Sequence, residues 1–226
     1  MVDGINTLNE KSLHAGLKQW YALEADLIET PVDGFIIDLV RGELLIEIQT
    51  GSFHPLKRKL AKLTQTHPVR LVYPIAVEKW LVNQAEAPEA PPIRRKSPKR
   101  GCVQHLFGEL VYIPALLANP NFTLEVLLIR EEELRRPNDK KRWRSKDWVT
   151  EERRLLEVLD RRVFNTPTDL IALVPPDLKQ PFTARELAKS LHQPTWLGYK
   201  MIYCLKALGL VAEEERRGRS KRPDFR

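Results

Sequence analysis

The sequence predicts an α/β (α+β) fold: a mixed sheet flanked by helices, followed by a smaller helical domain near the C-terminal end. Three observations carry this expectation. Two apolar runs flank a short Arg41-Gly42 break within residues 32–50 and read as a β-hairpin. Between that hairpin and the apolar run at 69–76, Leu56, Leu60 and Leu63 form a helical stripe. Strand, helix and strand in that order predict a right-handed crossover to a parallel neighbour. Near the end, Thr183 and Glu186 form a capping box that opens a pair of short helices.

Taken in order, residues 8–23 read as an amphipathic helix, with Leu13, Leu17, Trp20 and Tyr21 at helical spacing and Asn9 as its cap. Glu10 and His14, four apart, share a face. Residues 25–32 alternate weakly and give a first strand, and Asp33-Gly34 marks the turn into the hairpin. The helix over 55–66 ends at His67-Pro68. Residues 84–101 are proline-rich and charged, which predicts a loop or linker. Residues 103–118 look helical with a break at Pro114, 122–129 look like a strand, and 155–164 look like a helix. Trp143 and Trp148 sit among Arg142, Arg144 and Lys146; the rings either stack on bases or pin a charged hairpin to the core. After the capping box come a tight turn at His192-Gln193-Pro194 and a second helix over 194–208. That helix turns Leu197, Met201, Cys204 and Leu208 inward and is closed by Gly209. Residues 210–215 and 221–225 then flank a basic tip, a hairpin.

Charge narrows the function classes. The formal net charge is +7, concentrated in Arg94, Arg95, Lys96, Lys99 and Arg100, and again in Arg216, Arg217, Arg219, Lys221, Arg222 and Arg226. Such clusters fit a polyanion, DNA first and RNA second. No run of about 18 apolar residues offers a membrane span, and the first residues lack a signal pattern, so a cytoplasmic protein is expected. Cys102 and Cys204 are far apart, and the histidines (14, 54, 67, 105 and 192) are scattered, which argues against a disulfide framework and a zinc site. No glycine-rich phosphate loop or Gly-x-Ser-x-Gly elbow is present.

The sharpest chemistry lies in the hairpin. Strand alternation puts Asp38 on one face with Ile36 and Val40, and Glu47 on one face with Leu45 and Gln49. The three polar residues therefore converge on one side of a small sheet. Carboxylates in apolar runs need a cation or a metal, because an unpaired buried charge costs several kcal/mol. Two carboxylates suit a hard cation, Mg²⁺ or Mn²⁺, that keeps waters and meets a phosphate.

Asp38, then Glu47-Ile48-Gln49 on the next strand, in a helix, three strands, helix, strand order over residues 8–76, resembles the PD-(D/E)xK nuclease superfamily. The resemblance implies metal-dependent hydrolysis of phosphodiester bonds, with Asp38 and Glu47 as metal ligands and Glu10, or failing it Glu24, as the helix acid. Gln49 stands where that family has its catalytic lysine, and Lys57 or Lys59 from the following helix would replace it. The helix, turn, helix and basic hairpin of the last third resemble a winged helix-turn-helix domain. By that likeness Thr195, Tyr199, Lys200, Tyr203 and Lys206 face the nucleic acid, Arg216, Arg217, Arg219 and Lys221 form the wing, and the third helix comes from 169–173 or from the segment at 155–164. The implied domains are a nuclease-like α/β core over 1–83, the basic linker over 84–101, an α+β extension over 102–165 that packs on the core, and the winged helix over 166–226. The alternative is a catalytically inactive nuclease fold used for DNA binding or assembly, with a homodimer open.

Overall fold

The computed structural model describes residues 12–84, 91–138, 148–214 and 222–225. Helix α1 (Ser12–Tyr21) buries Leu13, Leu17 and Tyr21 along the stripe its sequence spacing requires. Strands β1 (Leu27–Val32) and β2 (Phe35–Arg41) pair antiparallel across Asp33 and Gly34, whose φ angles of +50° and +82° make the two-residue turn a right-twisted hairpin favours. A second such turn, with Gly42 at φ +58°, joins β2 to β3 (Leu44–Ile48), again antiparallel.

Beyond a 3₁₀ turn at His54–Leu56, helix α2 (Lys57–Leu63) buries Leu60 and Leu63 and returns the chain to β4 (Val69–Asn83), which lies parallel to β3. The parallel neighbour expected from the strand, helix, strand order is therefore present. Strand β4 outruns its expected end at residue 76. Its Pro74 falls after the β3 pairing stops at Val72 and before the next partner on β4 begins at Trp80, where no ladder bond on that side needs a proline N–H.

That next partner is β5 (Ile93–Lys96), antiparallel to the end of β4, so the stretch expected to be linker contributes a strand. The region 103–118 is three short pieces, a 3₁₀ turn at Val103–Leu106, α3 (Phe107–Leu110) and a 3₁₀ turn at Pro114–Ala118. Strand β6 (Phe122–Pro137) extends well past the expected residue 129. The helix expected over 155–164 is instead part of a long strand, β7 (Trp148–Phe164), paired with β6. Leu155, Leu159 and Val163 mimic a helical spacing, but the segment is exposed along most of its length and its backbone partner decides its state. The seven-stranded mixed sheet has the order β1-β2-β3-β4-β6-β7, with β5 against β4.

A 3₁₀ turn at Pro167–Leu173, with a Thr166 and Asp169 capping box, replaces the third helix expected from 169–173 or 155–164. Helix α4 (Ala184–Ser190) starts at the Thr183 and Glu186 box, and α5 (Thr195–Ala207) buries Leu197, Met201, Cys204 and Leu205. Gly209, at φ +71°, ends the second helix, and β8 (Val211–Glu214) pairs antiparallel with β9 (Arg222–Phe225). Trp143, Arg142, Arg144, Lys146 and the tip residues Arg216, Arg217, Arg219 and Lys221 lie outside the described residues.

Two compact units divide the chain. The first comprises Met1–Ala25, Pro74–Cys102 and Leu127–Arg161; the second comprises Asp26–Tyr73, Val103–Val126 and Arg162–Arg226. The second holds the hairpin, α2 and the C-terminal helices, with Ile37, Leu39, Ile46, Leu60, Leu63 and Leu71 fully buried. Among the described residues, no helix is long and apolar enough to cross a membrane.

Candidate functional site

The β2/β3 register pairs Leu39 with Ile46 and Val40 with Leu45, and one further step brings Asp38 opposite Glu47. Like charges directly opposed on a sheet repel. The ladder gives way there: the Ile48 backbone N–H donates to Asp38 Oδ2 at 2.8 Å. Asp38 is half-buried and Glu47 is only 5% exposed, since β3 is covered on both faces. Burial pushes the Glu47 carboxyl up to about 7, and the neighbouring Asp38 charge pushes the same way, while Lys59 opposes both.

Lys59 comes from α2. Its Nζ lies 2.6 Å from Glu47 Oε1, an ion-pair contact whose angle falls outside hydrogen-bond geometry, and it donates to the Ile36 carbonyl at 2.5 Å. Asp38, Glu47 and Lys59 thus meet within the second unit. Lys57, two residues earlier on α2, is exposed and lines a groove with Tyr112 and Tyr203 instead. Gln49 is occupied: its Nε2 donates to the Ser52 carbonyl at 2.6 Å and closes the loop ahead of α2. Glu10 lies outside the described residues, and Glu24 is exposed just past α1.

The donor set fits a hard divalent cation through two carboxylates. Among the described residues no group of three or more His, Cys, Asp or Glu side chains could hold a metal, so an ion here would depend on water for most of its shell. The Glu47 carboxyl is raised first by burial and second by the Asp38 charge, so a cation between the two carboxylates would relieve the second cause and leave the first.

Of the expected nucleic-acid residues, Lys200 is committed within the fold. Its Nζ donates to the Gly108 carbonyl at 2.6 Å and sits over the Trp196 ring. Lys206 is exposed. The basic residues of β5 are largely answered by acids, Arg94 by Glu132 and Lys96 by Glu78.

Sequence reasoning missed a set of buried acids on β6. Glu125 and Glu131 are fully buried and Glu133 nearly so. Within the first unit Glu131 pairs with Lys79 at 2.8 Å and Arg153 at 2.6 Å, and Glu133 contacts Lys79 and Arg135. Within the second, Glu125 faces Arg70 at 3.4 Å. The signal was the period-two spacing of Glu131 and Glu133, six and eight residues after Glu125 on the same strand face.

An uncharacterized protein of Treponema pallidum (strain Nichols) is 28% identical over 221 residues, spanning 96% of this chain and 86% of its own length. No solved structure matches the chain. A family model described as a domain of unknown function, DUF8091, matches residues 11–165, which include α1, the hairpin, α2 and the long strands. The chain belongs to that DUF8091 family.

Proposed function

We propose that the protein is a metal-dependent, nuclease-like DNA-binding protein that hydrolyses phosphodiester bonds at Asp38, Glu47 and Lys59. The observation that carries this reading is the meeting of those three side chains on β2, β3 and α2, in the strand and helix order of a PD-(D/E)xK core. Asp38 and Glu47 would hold a Mg²⁺ or Mn²⁺ ion, which when bound polarises a phosphoryl oxygen and readies a water. Lys59 contributes the cationic charge that Gln49 lacks. Its ammonium, fixed by the Ile36 carbonyl, steadies negative charge developing on the phosphate. Gln49 serves by holding the loop ahead of α2. The capping-box helix α4, the turn, α5 and the β8/β9 hairpin support a winged helix-turn-helix reading of the C-terminal segment, which would dock the chain on nucleic acid.

The test is cleavage of single-stranded, duplex and branched DNA, and of RNA, with Mn²⁺ or Mg²⁺. Wild-type protein should cut at least one substrate, and Asp38→Ala and Glu47→Ala should not. Purified wild type that leaves every substrate intact overturns the enzyme reading. One observation favours the alternative of an inactive fold: Lys59 already counters the Glu47 charge without a metal. That alternative expects salt-sensitive DNA binding unchanged by Asp38→Ala.

A further inference from the structure

Helix α5 turns a row of aromatic rings outward. Trp196, Tyr199 and Tyr203, spaced by three and four residues, are 48%, 58% and 56% exposed. One exposed ring needs no explanation, but a contiguous stripe of three marks an interaction surface. The stripe is also built to stay put. His105 stacks on Trp196 with 12° between the ring planes, and Lys200 lies 5.6 Å over the same ring while its amine holds the Gly108 carbonyl. Beside the stripe runs an open groove of about 420 Å³, lined by Tyr203, Tyr112, Lys57, Asn119 and the apolar segment from Val111 to Leu116. Tyr112 is braced edge-on by His54.

The chemistry of this face selects its occupant. The α5 sequence TWLGYKMIYCLKA carries no acid and two lysines, Lys206 exposed and Lys200 held at the Gly108 carbonyl, and Lys57 but no acid lines the groove. A polyanion is therefore favoured over an acidic-rimmed protein contact. Duplex readers favour forked side chains, Arg, Asn or Gln, at base edges beside Lys; α5 has no forked side chain, and of its two lysines Lys200 is held at the Gly108 carbonyl. Flat aromatic faces beside lysines suit unpaired bases on a phosphate backbone.

We propose that the Trp196, Tyr199 and Tyr203 face of α5, with the adjoining Tyr203, Tyr112 and Lys57 groove, binds single-stranded nucleic acid by base stacking. This rests on the nucleic-acid part of the reading above and is independent of cleavage. Binding is measured on the full chain in EDTA, where no hydrolysis occurs, by fluorescence anisotropy with a labelled oligo-dT strand and a blunt duplex of equal length. The single strand should bind at least about tenfold more tightly than the duplex. Tyr203→Ala should weaken it about tenfold, as expected for one lost stacking partner, while Tyr203→Phe retains it. Unchanged thermal melts of the Tyr203 variants exclude unfolding as the cause. Equal binding of strand and duplex, an unaffected Tyr199→Ala/Tyr203→Ala double variant, or no oligonucleotide binding, as a protein partner on this face would give, each overturns the proposal.

Discussion

Glu47→Gln isolates the electrostatic strain in the hairpin, because it removes one titrating proton and almost nothing of the shape. In the folded protein the Glu47 carboxyl titrates near 7 instead of the usual 4.5, mainly because it is buried and partly because Asp38 faces it. Between these two values the folded state keeps a proton that the unfolded chain has released, so wild-type stability falls as pH rises. Below about 4.5 both states are protonated and the contribution is fully present; above about 7 both are ionised and the loss is complete. A shift of about 2.5 units at about 1.4 kcal/mol each makes the full swing about 3.5 kcal/mol. Glu47 is only 5% exposed, so solvent screening takes little from that figure. The assay is urea unfolding of metal-free wild type and Glu47→Gln at pH 5, 6, 7 and 8. Wild-type stability minus variant stability should drop by about 2.5 kcal/mol from pH 5 to pH 8, because a little of the swing already lies below pH 5. A flat difference refutes the burial argument. A rising difference refutes it more strongly, because the Lys59 pair would then outweigh both burial and Asp38.

Other outcomes follow from single contacts. Gly198→Ala should destabilise the protein by about 1–3 kcal/mol, read as a lower urea midpoint at constant slope. Its new methyl would stand 2.1 Å from the Ala184 carbonyl oxygen. Thr183→Ala removes the side-chain acceptor for the Glu186 N–H and should cost about 1 kcal/mol in the same assay. Glu131→Ala should cost about 2 kcal/mol, below the roughly 3–5 of a wholly buried pair. Lys79 and Arg153 keep some solvent, and Lys79 keeps Glu133. Lys59→Met should lower metal-dependent cleavage at least about a hundredfold with the fold intact by circular dichroism.

The first half of the fold was legible in the sequence because its signals are local. Asp33-Gly34 and Gly42 dictate tight turns, the leucines of α2 declare their period, and a short crossover leaves few topologies. The capping box at Thr183 was legible for the same reason. Strand β7 was not. Its leucines and valine fit a helical period, and its charged residues are exposed on both sides, so period gave no warning of pairing with β6. Strand β5 was hidden by the prolines around it; Trp80, stacked beneath Arg94 at 4.1 Å, ties it to β4 through a contact that sequence spacing cannot reveal. In the site, alternation located Asp38 and Glu47. Choosing Lys59 over Lys57 required the helix to be placed in space, because residues two apart on α2 point about 200° apart, to nearly opposite sides.

On the proposed nuclease-like reading, the position of Lys59 also accounts for a glutamine at position 49. A lysine at 49 would extend from the strand that carries Glu47, two residues on and on the same nominal face. Here that place belongs to an amide that fastens the loop at Ser52, and the loop sets where α2 begins. The amide thus helps fix the helix that delivers the ammonium to Glu47. A lysine introduced at 49 would lose the loop contact and place a second cation near a carboxylate that already has one. Restoring the strand lysine should therefore not improve the site. Gln49→Lys should weaken the protein, whereas Gln49→Lys with Lys59→Gln, which moves the charge from helix to strand, is the variant in which any rescue of activity would appear.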